Sequence, residues 1–378
     1  MNSEALKQDN AGRIRAFQGA RFLFVVFIYL SHCVSDNMPL AFDYGGDMGV
    51  SFFFVLSGFV LSWGYGPQVT RREFALKPFF WSHWVHLYPL HVLLFAAFWL
   101  LDSRIGHCYD ATQVLSNLLL LQAWIPSSHT LYTLNAVSWF LGDTLFFYIV
   151  FPCSYRWLMR KSWKCLAGTF FLLAVIYVAV AIRIPDCMAN CTLYANPLAR
   201  WIDFASGICT YRLYKSVAIC HGSVEWMMPK LPLLAKLTHC WRYIVMGRWM
   251  LLCDVVALVL LYFLHRQMGW AVRCAALFWL VMPLFILHLA LQNGTSSWII
   301  RTLSSRMMVW LGSLSFEFFM VHLLALRLLR HAMGEGAGLS ADLFCFFLAF
   351  FLALVIAWLL CIAYVKPVSN VINSYLLR

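Results

Sequence analysis

Charge is scarce in this chain. Only 12% of its 378 residues are Asp, Glu, Lys or Arg, while 62% are hydrophobic and the mean hydropathy is +0.75. A water-soluble fold of this length has too little interior for so much apolar surface, so lipid must be the solvent. The 13 cysteines include no CxxC pair and no His/Cys cluster with zinc-ligand spacing, so no metal is expected. Cys187 and Cys191 share a short polar connection, where a disulfide and two free thiols are both open. Acidic residues are few, 16 against 28 basic, for a net charge of +12. No basic patch carries a nucleic-acid recognition motif, and basic loops are the ordinary mark of a membrane protein's cytoplasmic edge, so no nucleic-acid partner is expected. Internal repeats and a separate soluble domain are also missing. The first apolar run has no small-residue cleavage site behind it and reads as a retained anchor.

What the chain has is apolar runs, at roughly 17–35, 47–66, 79–101, 113–125, 137–155, 165–182, 197–211, 249–265, 271–292, 307–326 and 342–365. The fourth, QVLSNLLLLQAWI, is far shorter than the roughly twenty residues a crossing needs. Charge decides its fate. If it does not cross and the N-terminus is inside, cytoplasmic segments hold twenty Lys and Arg and outer segments six, with Arg21 and Arg200 inside spans. If it crosses, the same residues divide eleven inside to fifteen outside, against the positive-inside rule. The predicted fold is therefore an all-α integral membrane protein, with about ten transmembrane helices, a half-span or re-entrant helix over 113–125, and both termini cytoplasmic. A single membrane domain covers 1–378, and 212–248 is its large basic cytoplasmic loop.

An ionisable group within a span costs at least about 2.5 kcal/mol, so each one needs a reason. In RFLFVVFIYLSH, Arg21 and His32 are eleven residues apart. On a helix they share a face and are separated by about 16 Å. With this topology Arg21, Arg71, Arg72, Lys77, His83 and His86 lie toward the cytoplasm. His32, Asp36, Asp143, Arg200, Asp203 and His322 lie toward the outside, with Glu317 nearer mid-membrane. The chain reads as a cationic inner mouth joined to an outer acid/base cluster. Plainer roles stand beside this one. Arg21 can snorkel to headgroups, His32 can be a packing residue, and Arg200 and Asp203 can simply neutralise each other. Asp254 has no evident partner in the sequence.

The order of these motifs resembles the acyltransferase-3 family of multi-spanning bacterial membrane proteins. Arg21 and His32 match its arginine, ten residues, histidine pattern, and GVSFFFVLSGFVLSWGYG is similar to its "FFVLSGFVL" span. FFWSHWVHLYPLHVL resembles the run ending in "IYPLY", and SWFLGDTLFFYIVFP resembles "WSLSVEEQFYLLFP". PLARWIDFASGICTYRL and WLGSLSFEFFMVH are similar to "RLLEFLLGMLLA" and "LGKISYSLYLIH". Three departures stand out. His83 and His86 replace two arginines, Asp143 precedes the position of a glutamate now held by Thr144, and no esterase-like domain follows the last span.

The resemblance implies an enzyme of the bacterial inner membrane. It would take an acetyl or similar small acyl group from cytoplasmic acyl-CoA to a hydroxyl of an extracytoplasmic glycan, glycolipid or other lipid-linked acceptor. Carried over, His32 is the acid/base residue or acyl carrier and Arg21 stabilises the donor. His322, Glu317 and Asp143 complete the candidate catalytic set, with Arg71, Arg72, Lys77, His83 and His86 as candidate CoA-binding residues. Two rivals are a proton-coupled transporter or exporter, whose relays also use intramembrane acids and histidines, and a non-catalytic assembly partner of a polysaccharide synthase.

Overall fold

The computed structural model describes residues 14–33, 45–104, 106–224, 248–264, 267–268, 276–333 and 339–376. Asp36 and most of the 212–248 loop lie outside these. Among the described residues all regular structure is helical. The chain runs through α1 (Arg15–Ser31), α2 (Gly45–Arg71), α3 (Leu76–Arg104), α4 (Ala111–Leu118), α5 (Ser128–Leu131), α6 (Trp139–Arg160) and α7 (Trp163–Arg183). It continues through α8 (Asp186–Ala189), α9 (Pro197–Val224), α10 (Arg248–Leu264), α11 (Val281–Leu291), α12 (Trp298–Leu303), α13 (Arg306–Ser313), α14 (Ser315–Met333), α15 (Leu339–Leu360) and α16 (Lys366–Leu376).

Five described stretches are long and apolar enough to cross a bilayer: α2, α3, residues 136–160 around α6, α7, and residues 340–372 containing α15. The bent pair α13 and α14 makes a sixth if counted as one broken span. Their burial sorts them into layers. The apolar window of α2 is 67% buried and that of α7 only 17%, so α2 is central and α7 peripheral. Phe171, Leu172 and Ile182 of α7 point outward, as expected where lipid rather than water surrounds the bundle.

The most extensive helix seam joins α2 to α9. Its geometry depends on two glycines. A Cβ on Gly58 would collide with the Phe204 carbonyl, and one on Gly207 with the Val55 carbonyl. Small residues allow the backbones to approach, which is how helices associate where no hydrophobic force drives them together. The seam carries a buried ion pair. Arg200 donates to Asp203 Oδ2 at 3.1 Å, to Ser51 Oγ at 3.3 Å across the seam, and to the Tyr194 carbonyl at 2.5 Å. Tyr194 ends a π-helical turn over Asn190–Tyr194, and its ring lies under the guanidinium at 4.7 Å.

The fourth apolar run makes no continuous span. It folds as the eight-residue α4, a turn at Leu120 with φ +59°, and a single 3-10 turn over Gln122–Trp124. Eight residues rise only about 12 Å. The segment is tied in by side-chain bonds: Asn117 Nδ2 donates to the Thr133 carbonyl at 2.8 Å, and Gln122 Nε2 to Ser138 Oγ at 2.9 Å.

The run at 307–326, expected as one helix, is corrected to two, bent by 64° at Leu314. The chain packs closely on α1 just before the bend. Gly312 sits against the Gln18 carbonyl of α1, where a side chain would collide, and α14 leaves in a new direction. Interrupted helix is tolerated at membrane depth where it is buried or lines a cavity, and Ser315, the first residue of α14, does both. Cys187 and Cys191 are free thiols.

The seam yields a test. Gly207→Leu should destabilise the protein by roughly 1–3 kcal/mol or more through overpacking, whereas Gly64→Leu, with nothing within 4 Å of its added Cβ, should be near neutral. Thermal unfolding of the detergent-purified variants checks both. Equal melting temperatures would refute the close seam.

Candidate active site

Two cavities lie at successive levels of α1. The first has a volume of about 410 Å³ and receives Gln18 and Arg21 from α1, Ser57 and Trp63 from α2, His83 from α3, Thr144 and Tyr148 from α6, and Ser315 from α14. Its remaining wall is aromatic and aliphatic. The second, about 290 Å³, is lined by Ser31 and His32 at the end of α1, Asp47 of α2, Tyr132, Trp139, Tyr194 and Phe319. Arg21 therefore opens on one cavity and His32 on the other, about 16 Å apart along one helix.

Local structure aims each group. His32 is the C-cap of α1, and its Nδ1 lies 2.7 Å from the Ile28 carbonyl. A carbonyl can only accept, so Nδ1 carries the proton and Nε2 of the neutral ring holds a lone pair. The same bond, at 2.8 Å from Nδ1 to the Phe79 carbonyl, fixes His83. Its ring packs on Tyr148 with centroids 4.8 Å apart. Arg21 donates to Gln18 Oε1 at 3.3 Å and interacts electrostatically with Glu317 and Tyr148. Glu317, in the first turn of α14, suits the positive end of that helix.

His322 joins His32. Their ring centroids are 5.1 Å apart, His322 Nδ1 lies 3.3 Å from the Phe318 carbonyl, and its Nε2 is buried with no hydrogen-bond partner among the described residues. The other candidates are dispersed. Asp143 is fully buried behind Thr144, lines neither cavity, and neither of its carboxylate oxygens has a hydrogen-bond partner among the described residues. His86 turns from His83 and meets Ser369 Oγ of α16 at 2.8 Å. Arg71, Arg72 and Lys77 are exposed around the α2–α3 turn, where Arg71 faces Glu73 at 3.6 Å.

Some polar residues turn out to be structural. Asp254 Oδ2 receives His288 Nδ1 at 2.5 Å, a buried α10–α11 pair. Asp102 takes Arg327 at 3.2 Å and the Tyr109 hydroxyl. Burial and that carboxylate hold the Tyr109 phenol above its ordinary value. Sequence reading missed Tyr132, Trp139, Tyr194 and Phe319 as cavity residues. Their only signal was aromatic character, which the chain shares among 17% of its positions.

A helical bundle with a lipid-compatible exterior, an arginine cavity and a histidine cavity suits a membrane-embedded enzyme or transporter. The chain belongs to the acyltransferase-3 family: the family's sequence profile, described as an acyltransferase domain, matches residues 14–362. It is 26% identical over 356 residues to the acyltransferase MdmB of Streptomyces mycarofaciens, covering 86% of this chain and 82% of that protein. No solved structure matches it. The protein is an acyltransferase.

The buried pair beside the His32 cavity is testable. Asp203→Asn should cost about 3–5 kcal/mol, because it strands the Arg200 charge, and Arg200→Met with Asp203→Leu should recover part of that loss. Melting temperatures in detergent report both. A single variant as stable as wild type would show that the pair is not needed.

Proposed function

We propose that the chain moves an acetyl or similar small acyl group from cytoplasmic acyl-CoA to a hydroxyl of an extracytoplasmic glycan, glycolipid or related acceptor. In this reading it is a multi-pass protein of the bacterial inner membrane with ten crossings and both termini cytoplasmic. The Arg21 cavity then opens toward the cytoplasm and takes the donor, and the His32 cavity opens outward and takes the acceptor. One observation carries the reading: His32, held with its Nε2 lone pair available, lines one cavity while Arg21, on the same helix, lines the other.

Each residue has a role in the transfer. The Arg21 guanidinium offers a fork of donors to a donor phosphate or carbonyl oxygen. Arg71, Arg72 and Lys77, exposed at one end of the bundle, supply cations to the CoA phosphates at the mouth, and His83 and Tyr148 line the way in. His32 Nε2 takes the proton of the acceptor hydroxyl as its oxygen attacks the thioester carbon. The new C–O bond forms, the C–S bond breaks, and the departing CoA thiolate recovers the proton from the imidazolium. Attack by the imidazole itself, with an acyl-histidine intermediate, uses the same lone pair. His322 packs on the His32 ring, and Glu317 balances Arg21. Asp47, Tyr132, Trp139 and Tyr194 give the second cavity the mixture of polar groups and flat apolar rings that suits a hydroxyl-rich acceptor.

His32→Ala should lower transfer about 10²–10⁴-fold with membrane insertion and CoA affinity retained. Arg21→Ala should weaken donor binding roughly 10–100-fold, as expected for loss of charged hydrogen bonds. The assay is free CoA release and acyl incorporation in membrane vesicles, with CoA affinity measured on purified protein. Full activity of His32→Ala would overturn the assignment. Solute movement without CoA release would favour the transport reading.

A further inference from the structure

Among the described residues the two cavities share one lining residue, Phe319. Its position follows from the broken helix: it lies in the second turn of α14, just beyond the bend at Leu314. The ring is buried, 5.2 Å from Phe140 and 6.0 Å from His322 between centroids. Phe140 lines only the Arg21 cavity and stacks face to face on fully buried Phe54 at 4.5 Å, whereas its neighbour Trp139 lines only the His32 cavity. The start of α6 thus gives one ring to each chamber, and Phe319 stands where they meet. Asn135 bonded to the Met320 carbonyl holds the backbone of α14 at this point.

We propose that Phe319 is the partition between donor and acceptor chambers and limits the length of the acyl group. The inference rests on the function proposed above. A thioester in one chamber can react with a hydroxyl in the other only where the chambers adjoin, so the acyl tail must lie beside the Phe319 ring. An acetyl group adds one methyl beyond the carbonyl carbon. Each further methylene needs volume that the ring, backed by Phe140 and Phe54, already fills in a close-packed wall. Phe319 is a specificity residue in this scheme, with no part in moving the proton.

Membrane vesicles containing the full chain and its native acceptors are supplied with radiolabelled acetyl-, butyryl- or hexanoyl-CoA, and label entering the lipid and glycan fractions is counted. Phe319→Leu and Phe319→Ala should raise butyryl and hexanoyl transfer relative to acetyl by about 10-fold or more, the range that one or two methylenes command in an apolar pocket. Phe319→Trp should lower acetyl transfer at least about tenfold on the same scale, with the affinity of the purified protein for CoA itself unchanged. Phe319→Leu keeps most of the apolar volume and is the variant that preserves folding, checked by melting temperature. Unchanged acyl ratios in folded Phe319→Leu overturn the partition while wild-type acetyl transfer still supports the enzyme. No transfer from any acyl-CoA by wild type overturns the function on which the partition rests.

Discussion

Hydrocarbon favours two fates for a polar side chain, a partner inside the protein or a place on a cavity, and this restriction organises most of the molecule, with buried Asp143 an exception among the described residues. Arg200 and Asp203, Asp254 and His288, and Asp102 with Arg327 and Tyr109 take the first course and hold helices together. Arg21, His83 and His32 take the second. The division marks candidates for chemistry without reference to any relative, because a charge satisfied on all sides by protein has nothing left to offer a substrate. Arg200 is the largest fully buried side chain, engaged by a carboxylate, a hydroxyl, a carbonyl and a ring. Arg21 is only half buried and has one neutral side-chain acceptor.

The cavities depend in turn on how closely the helices approach. Gly58 and Gly207 bring α2 and α9 together, which sets Arg200 against Ser51 and Tyr194 and so positions the Tyr194 wall of the His32 cavity. Gly312 packs against α1 just before the turn at Leu314, and that turn delivers Ser315, Phe316 and Phe319 to the Arg21 cavity. Helix α1 is the common element. It packs on α2, α12, α13 and α14 and presents a cavity-lining polar group at each of two levels, Arg21 and His32.

Much of this was legible from the sequence, for identifiable reasons. The helical membrane class follows from apolar length and scarce charge, and the failure of 113–125 to form a span follows from its shortness and, more firmly, from the distribution of Lys and Arg. Arg21 and His32 stood out because an eleven-residue spacing on a helix is fixed by geometry. The bend at Leu314 was not legible. No proline marks it, the Gly312–Ser313 pair beside it is only a weak signal, and the α1 carbonyl against which Gly312 packs lies almost three hundred residues earlier. The Asp254–His288 pair was hidden in the same way, by a separation of 34 residues. Both of its members were polar outliers in apolar runs, and two such outliers are grounds to suspect a pair. The cavity aromatics were invisible because nothing local distinguishes Phe319 from the 31 other phenylalanines.

The paired histidines on α3 show how the restriction bears on specificity. Sequence spacing places His83 and His86 on one helical face, and where the family has arginines both positions invite a role in holding the donor. Their partners divide them instead. His83 is clamped to its own helix, packs at a tilt on Tyr148 and opens on the Arg21 cavity, while exposed His86 leans on Ser369 of α16. A neutral imidazole needs only one acceptor to settle in such a wall, whereas a guanidinium there would have required a counter-charge. Among the described residues that line it, the Arg21 cavity therefore holds a single permanent cation, which interacts electrostatically with Glu317, inside walls that are mainly apolar. Under the proposed function, walls of this kind suit a slender amide-bearing arm better than a cluster of phosphates. In this chain the cations suited to phosphates, Arg71, Arg72 and Lys77, stay outside in water, where their charge costs nothing to maintain.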